Sequence, residues 1–189
     1  MDEFQKMKTG EPYNPADTKL VELRVQAKRL LDKFNHSLYD DKDKRQHILK
    51  TLLGSMGNNV SINRHFYCDY GCNIHLGNNF IGNNFFANYD CVILDCAEVI
   101  FGDDCMLGPQ VGIYTATHPL DPKERASGIE FAKPIRIGNN CWIGGHATLN
   151  PGITLGNNVV VASGSVVTKS FGDNVVIGGN PARIIREIK

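Results

Sequence analysis

Aliphatic side chains recur at every sixth position over much of this chain. Ile137, Ile143, Leu149, Leu155, Val161 and Val167 form six consecutive units. The residues that follow them are mostly small: Gly138, Gly144, Asn150, Gly156, Ala162 and Thr168. Two positions before them stand Ile135, Cys141, Ala147, Ile153, Val159 and Ser165, again small or branched. The pattern recurs upstream in Phe101, Leu107 and Ile113, and more roughly in Ile81, Ala87 and Ile93. A helix needs a period near 3.6 and a lone strand a period of 2, so neither explains it. A coil of short parallel strands does, with one inward aliphatic per hexapeptide and three hexapeptides per triangular turn. The Asn pairs at 78–79, 83–84, 139–140 and 157–158 then mark corners, where Gly and Asn tolerate a left-handed backbone.

Two breaks interrupt the register. From Leu76 to Ile81 the frame steps by five, which predicts a bulge or small loop around Phe80–Phe85. Between Ile113 and Ile135 the hexads stop, and a charged stretch with Pro119, Pro122 and Pro134 intervenes. Such an excursion, at about 114–134, is more often functional than accidental. The N-terminal third carries a different pattern. Leu20, Leu23, Ala27, Leu30, Leu31 and Phe34 mark one helical face; Ile48, Leu52, Leu53 and Met56 mark a shorter one. Asp17 or Thr18 is placed to cap the first helix and Asp40 or Asp41 the second. The division is a helical hairpin over 1–57, capping a β-helix over 58–189. Residues 184–189 form a closing strand or helix.

Composition narrows the partners. Twenty basic residues balance twenty acidic ones, so no net field favours nucleic acid or membrane surfaces. No apolar run is long enough to span a bilayer, and the polar N-terminus lacks a signal-peptide core; a cytoplasmic protein is the expectation. Of the six cysteines, Cys91, Cys105 and Cys141 each fall four residues after an inward aliphatic, as small core residues. Cys68 and Cys72 lack the companions of a zinc site. Reduced structural thiols are expected throughout. Among the six histidines, His118 is distinguished by opening the excursion between Thr117 and Pro119.

Several motifs now carry a resemblance to a known family. They are 114–120 (YTATHPL), 133–138 (KPIRIG), 142–145 (WIGG), 150–152 (NPG), 162–169 (ASGSVVTK) and 179–183 (GNPAR), with Gly10-Glu11-Pro12-Tyr13 and Phe34-Asn35-His36-Ser37 near the start. Across nearly its whole length the chain resembles the maltose and galactoside O-acetyltransferases, and the maltose type most. The resemblance implies a mainly β fold, a left-handed parallel β-helix, in a homotrimer with active sites between subunits. It implies acetyl transfer from acetyl-CoA to a sugar hydroxyl by direct attack, with no metal.

That reaction needs a base for the hydroxyl proton, stabilisation of the oxyanion and alignment of both substrates. Histidine suits the base because its pKa lies near working pH, and the family motif places it at His118. The resemblance assigns Asn88 and Asp69 to the acceptor, with Asp17 as a further candidate. Asp69 differs in type from the aligned serine of galactoside enzymes, and Cys96 stands where they carry an aspartate, a departure that favours the maltose branch. For the cofactor it points to Gly145, Ser163, Thr168, Lys169, Arg183 and Arg186, the last three suited to phosphates. Trp142 points outward, near the cofactor groove or a subunit contact. Alternatives are a serine or antibiotic acceptor, a non-catalytic trimeric scaffold, and a zinc carbonic anhydrase, whose histidine spacing is absent.

Overall fold

A computed structural model describes residues 1–77 and 84–189. The corner pairs expected at 78–79 and at Asn83, the inward Ile81 and the start of the five-residue step lie outside the described residues.

The chain winds into a left-handed parallel β-helix with three faces. Face I holds Ser55–Met56, Ile74–Leu76, Val99–Phe101, Ile135–Ile137 and Thr154–Leu155. Face II holds Ser61–Ile62, Phe86–Ala87, Met106–Leu107, Trp142–Ile143, Val159–Val161 and Val175–Gly179. Face III holds Tyr67–Cys68, Val92–Leu94, Gly112–Tyr114, Thr148–Leu149 and Val166–Val167. In the C-terminal turns, parallel partners lie three hexapeptides apart, as Arg136 opposite Thr154 and Trp142 opposite Val160. Phe101, Leu107, Ile113, Ile143, Leu149 and Val167 are at most 1% exposed; they stack as the inward columns that the period predicts. Cys91, Cys105 and Cys141 are buried beside them, and all six cysteines are unpaired.

The corners carry the left-handed residues. Asn84, Asn140 and Asn158 have φ near +60°, as do Asn59, Asp104 and Asn174 along the same edge. The II–III edge repeats this with His65, Asp90, Gln110 and His146, which turns both histidines outward. Residues 182–187 form a strand that returns antiparallel onto Val175–Gly179, settling the form of the closing segment.

Among the described residues, four helices precede or interrupt the coil. α1 (Glu3–Thr9) is capped by Asp2 and was not expected from the apolar pattern, because it buries one side chain, Met7. α2 (Thr18–Asn35) is capped by Asp17 and buries Leu20, Ala27, Leu31 and Phe34. α3 (Lys42–Leu52) is capped by Asp41. It stops short of Met56, which lies in the first strand of face I opposite Leu76. α2 and α3 share one continuous core with the first turns of the coil. Between them and the first strand of face II is a cavity of about 370 Å³ lined by Phe34, Arg45, Leu49 and Val60. Arg45 serves there as a clamp: it stacks on Phe34 at 4.1 Å and donates to Ile62 O and Ser37 Oγ.

The excursion is ordered. Ala116–Thr117 pairs antiparallel with Phe131–Ala132, and α4 (Pro122–Ala126) lies between them. Among the described residues no helix is long and apolar enough to cross a membrane.

Candidate active site

The excursion leaves the coil at the III–I edge, and its root is tightly tied. Thr115 is fully buried; its N–H and Oγ1 both donate to Leu94 O, and Oγ1 accepts from Ala97 N. Lys133 N closes the root on Thr115 O. His118 follows the outgoing strand and is exposed. Arg125 of α4 donates to Pro119 O and Leu120 O, fixing the turn just after it.

The same edge carries a cluster of buried polar groups beside this ribbon. Asp95 is 0% exposed and accepts from Asp69 N and Tyr70 N on Oδ1 and from Asn73 N on Oδ2. It thereby pins the turn 69–73. Burial pushes its carboxyl up to about 7, against the opposing pull of the Tyr70, Gly71 and Asn73 amides. Burial also raises the Asp69 carboxyl, with Cys96 and Arg24 acting to lower it. Cys96 Sγ donates to Asp69 Oδ2 at 3.6 Å, and burial pushes the thiol up, away from nucleophilic use.

Two residues at this edge, Arg24 and Tyr13, carry no role in the sequence-based assignment. Arg24, on α2, donates to Tyr70 Oη and to Pro15 O. Tyr13 is buried and donates from Oη to Glu130 Oε2 at 2.8 Å. The motif around Tyr13 was a signal of its importance, but nothing local tells where it docks. Asp17 lies on the same N-terminal segment, its Oδ1 occupied by the Lys19 and Leu20 amides of α2.

Asn88 is elsewhere. It follows the Phe86–Ala87 strand and sits at the II–III edge, across face III from His118 and Asp69. Its Oδ1 accepts from Asn63 Nδ2 and Tyr89 N, which leaves the amide Nδ2 to donate. The cofactor candidates divide in the same way. Gly145 and Ser163 share the II–III edge with Asn88, where neighbouring turns approach so closely that a Cβ on Gly144 would lie 2.6 Å from Ser163 N. Ser163 and Arg186 line a cavity of about 430 Å³ with Trp142, whose ring is 51% exposed as expected. Arg183 is exposed on the same closing strand. Thr168 and Lys169 instead follow the last strand of face III, on the edge that carries the excursion. The candidate residues of one chain thus fall into two groups, candidate half-sites, on the two borders of face III.

Comparison with known proteins locates this architecture. The maltose acetyltransferase hexapeptide capping motif matches residues 6–57, and the hexapeptide repeat of succinyl-transferase matches residues 134–169. The galactoside O-acetyltransferase of Escherichia coli is 38% identical over 184 residues, covering 97% of this chain and 88% of that protein. The crystal structure of a maltose O-acetyltransferase from Clostridium difficile 630 superposes with a TM-score of 0.95 at 48% identity, covering 100% of this chain and 98% of the other. The chain belongs to the maltose and galactoside O-acetyltransferase family. A galactoside acetyltransferase of that family, solved in complex with coenzyme A, has a TM-score of 0.93 at 38% identity, covering 100% of this chain and 92% of that one. As an O-acetyltransferase of this type, the protein shares its family's capped coil from end to end.

Proposed function

We propose that this protein transfers the acetyl group of acetyl-CoA to a hydroxyl of a glucose- or maltose-type sugar, with His118 as general base. The observation that carries this reading is the exposed imidazole of His118 on a ribbon whose root is tied to the edge that also carries Asp69 and Tyr70, with Arg24 donating to Tyr70 Oη. A carboxylate and a guanidinium side by side suit the mixed donors and acceptors of a sugar.

His118 takes the hydroxyl proton as the sugar oxygen attacks the thioester carbon. The tetrahedral oxyanion collapses, the carbon–sulfur bond breaks, and the thiolate leaves with the proton from the imidazolium. Asp69, Asp17 and Asn88 bind the acceptor. Gly145 and Ser163 line the path of the pantetheine arm, and Thr168, Lys169, Arg183 and Arg186 meet the polar, phosphorylated end.

Because the half-sites border one face, completion requires a second copy. Face III carries Tyr67, Val92, Tyr114 and Val166, none of them fully buried in the single chain. Three prisms with that face turned to a common axis bring the His118 edge of one against the Asn88 edge of the next, a closed symmetry. Six unpaired cysteines suit a reducing, cytoplasmic setting.

The test is His118→Ala assayed with acetyl-CoA and a panel of glucose, maltose, galactosides and serine. Turnover on the glucosyl acceptors should fall at least about a hundredfold, the usual worth of a general base, with the sedimentation coefficient of a trimer kept. Unchanged turnover would remove His118 as the base; activity on serine alone would remove the sugar.

A further inference from the structure

The candidate site is assembled from chain segments more than a hundred residues apart: Met7 and Leu20 pack with Ala132 of the ribbon in one apolar cluster, and one set of hydrogen bonds fixes the register between them. Tyr13 N donates to Glu130 O at 3.0 Å, Glu130 N donates to Tyr13 O at 3.1 Å, and Tyr13 Oη donates to Glu130 Oε2 at 2.8 Å. Backbone and side chain are therefore both engaged, and Tyr13 is only 1% exposed. Glu130 directly precedes the return strand, Phe131–Ala132, of the excursion. In that ribbon Ala116 faces Ala132 and Thr117 faces Phe131. The antiparallel register, carried one step further, sets His118 opposite Glu130. The return strand thus has Tyr13 along one side and the approach to His118 along the other.

A ribbon of two residues against two is marginal by itself. Its root is fixed by Thr115 and its far turn by Arg125, but neither sets the ribbon relative to the N-terminal segment. That segment leads from Tyr13 through Asp17, the cap of α2, to Arg24, which grips both Tyr70 and Pro15 O.

We propose that Glu130 is a positioning residue: through Tyr13 it latches the N-terminal segment to the His118 ribbon and so sets the base against the acceptor residues. The proposal rests on His118 being the base. The latch needs an acceptor oxygen on residue 130 and a hydroxyl on residue 13; it does not need the negative charge.

The experiment compares Tyr13→Phe, Glu130→Ala and Glu130→Gln in the intact protein. Tyr13→Phe and Glu130→Ala should each lower kcat about tenfold, since small misplacement of reacting groups costs rate. The KM for acetyl-CoA should stay within about twofold. The double variant should be no worse than Tyr13→Phe alone, which already breaks the contact that Glu130→Ala removes. Glu130→Gln, whose amide oxygen still accepts from Tyr13, should keep wild-type kcat. Amide hydrogen exchange at 116–118 gives a readout independent of activity: faster in Tyr13→Phe and Glu130→Ala, unchanged in Glu130→Gln. Wild-type kcat in Tyr13→Phe, equal losses in both Glu130 variants, or exchange at 116–118 that no variant alters would each overturn the latch. If exchange responds as expected while His118→Ala retains full activity, the latch stands and the assignment of the base fails instead.

Discussion

Asp95→Asn tests which of two opposing forces governs the buried carboxyl that pins the turn at 69–73. Asp95 has no solvent contact, yet three backbone N–H groups point at its oxygens. Burial favours the neutral acid and the amides favour the carboxylate. With the folded value near 7 against an ordinary 3.8, burial wins. The folded protein then holds a proton that the unfolded chain has released. The stability this contributes is fully present below about pH 4 and is lost as pH rises to 7, at about 1.4 kcal/mol per pH unit. The whole window is worth roughly 4 kcal/mol on that scale. Asparagine cannot titrate, so subtracting its stability removes the contribution of every other carboxylate. Urea denaturation of both proteins at pH 4.5, 6 and 7.5 measures the difference. Wild type should weaken relative to Asp95→Asn by about 1.4 kcal/mol per unit and level off above pH 7. A flat difference, or wild type gaining as pH rises, would show that the amides outweigh burial and refute the reasoning.

Two further outcomes test the coil. Leu107→Ala empties part of a fully buried column and should cost about 2–5 kcal/mol in chemical denaturation, with the KM of the remaining folded enzyme unchanged. Gly144→Ala drives a Cβ to 2.6 Å from Ser163 N and should separate adjacent turns at the II–III edge. The KM for acetyl-CoA should rise about tenfold, equivalent to about 1.4 kcal/mol, while the KM for the sugar holds; an unaltered KM for acetyl-CoA would move the cofactor off that edge.

The fold was largely legible because its signal is local and repeated. Each hexapeptide places one aliphatic inward, so the period alone specifies the columns from Phe101 to Val167, and the Asn pairs at 139–140 and 157–158 specify corners. The break after Ile113 likewise marked the excursion and, at its opening, His118. α1 escaped because a seven-residue helix with one buried side chain has no apolar stripe to read. Met56 misled because a position consistent with a helical face is equally consistent with the first strand of a coil.

What tertiary structure alone decided is which residues share an edge. A period of six says that a residue lies at a corner, but not which corner, because register breaks accumulate: Ser61 pairs with Phe86, Phe86 with Met106, and Met106 with Trp142, at three different separations. Hence Asn88 and Asp69, both assigned to the acceptor by resemblance, lie on opposite borders of one face. The meeting of Tyr13 with Glu130 spans 117 residues, and that of Arg24 with Tyr70 spans 46. Contacts at such separations follow from how a cap packs on a stack of turns, a property of assembled surfaces that no short stretch of sequence contains.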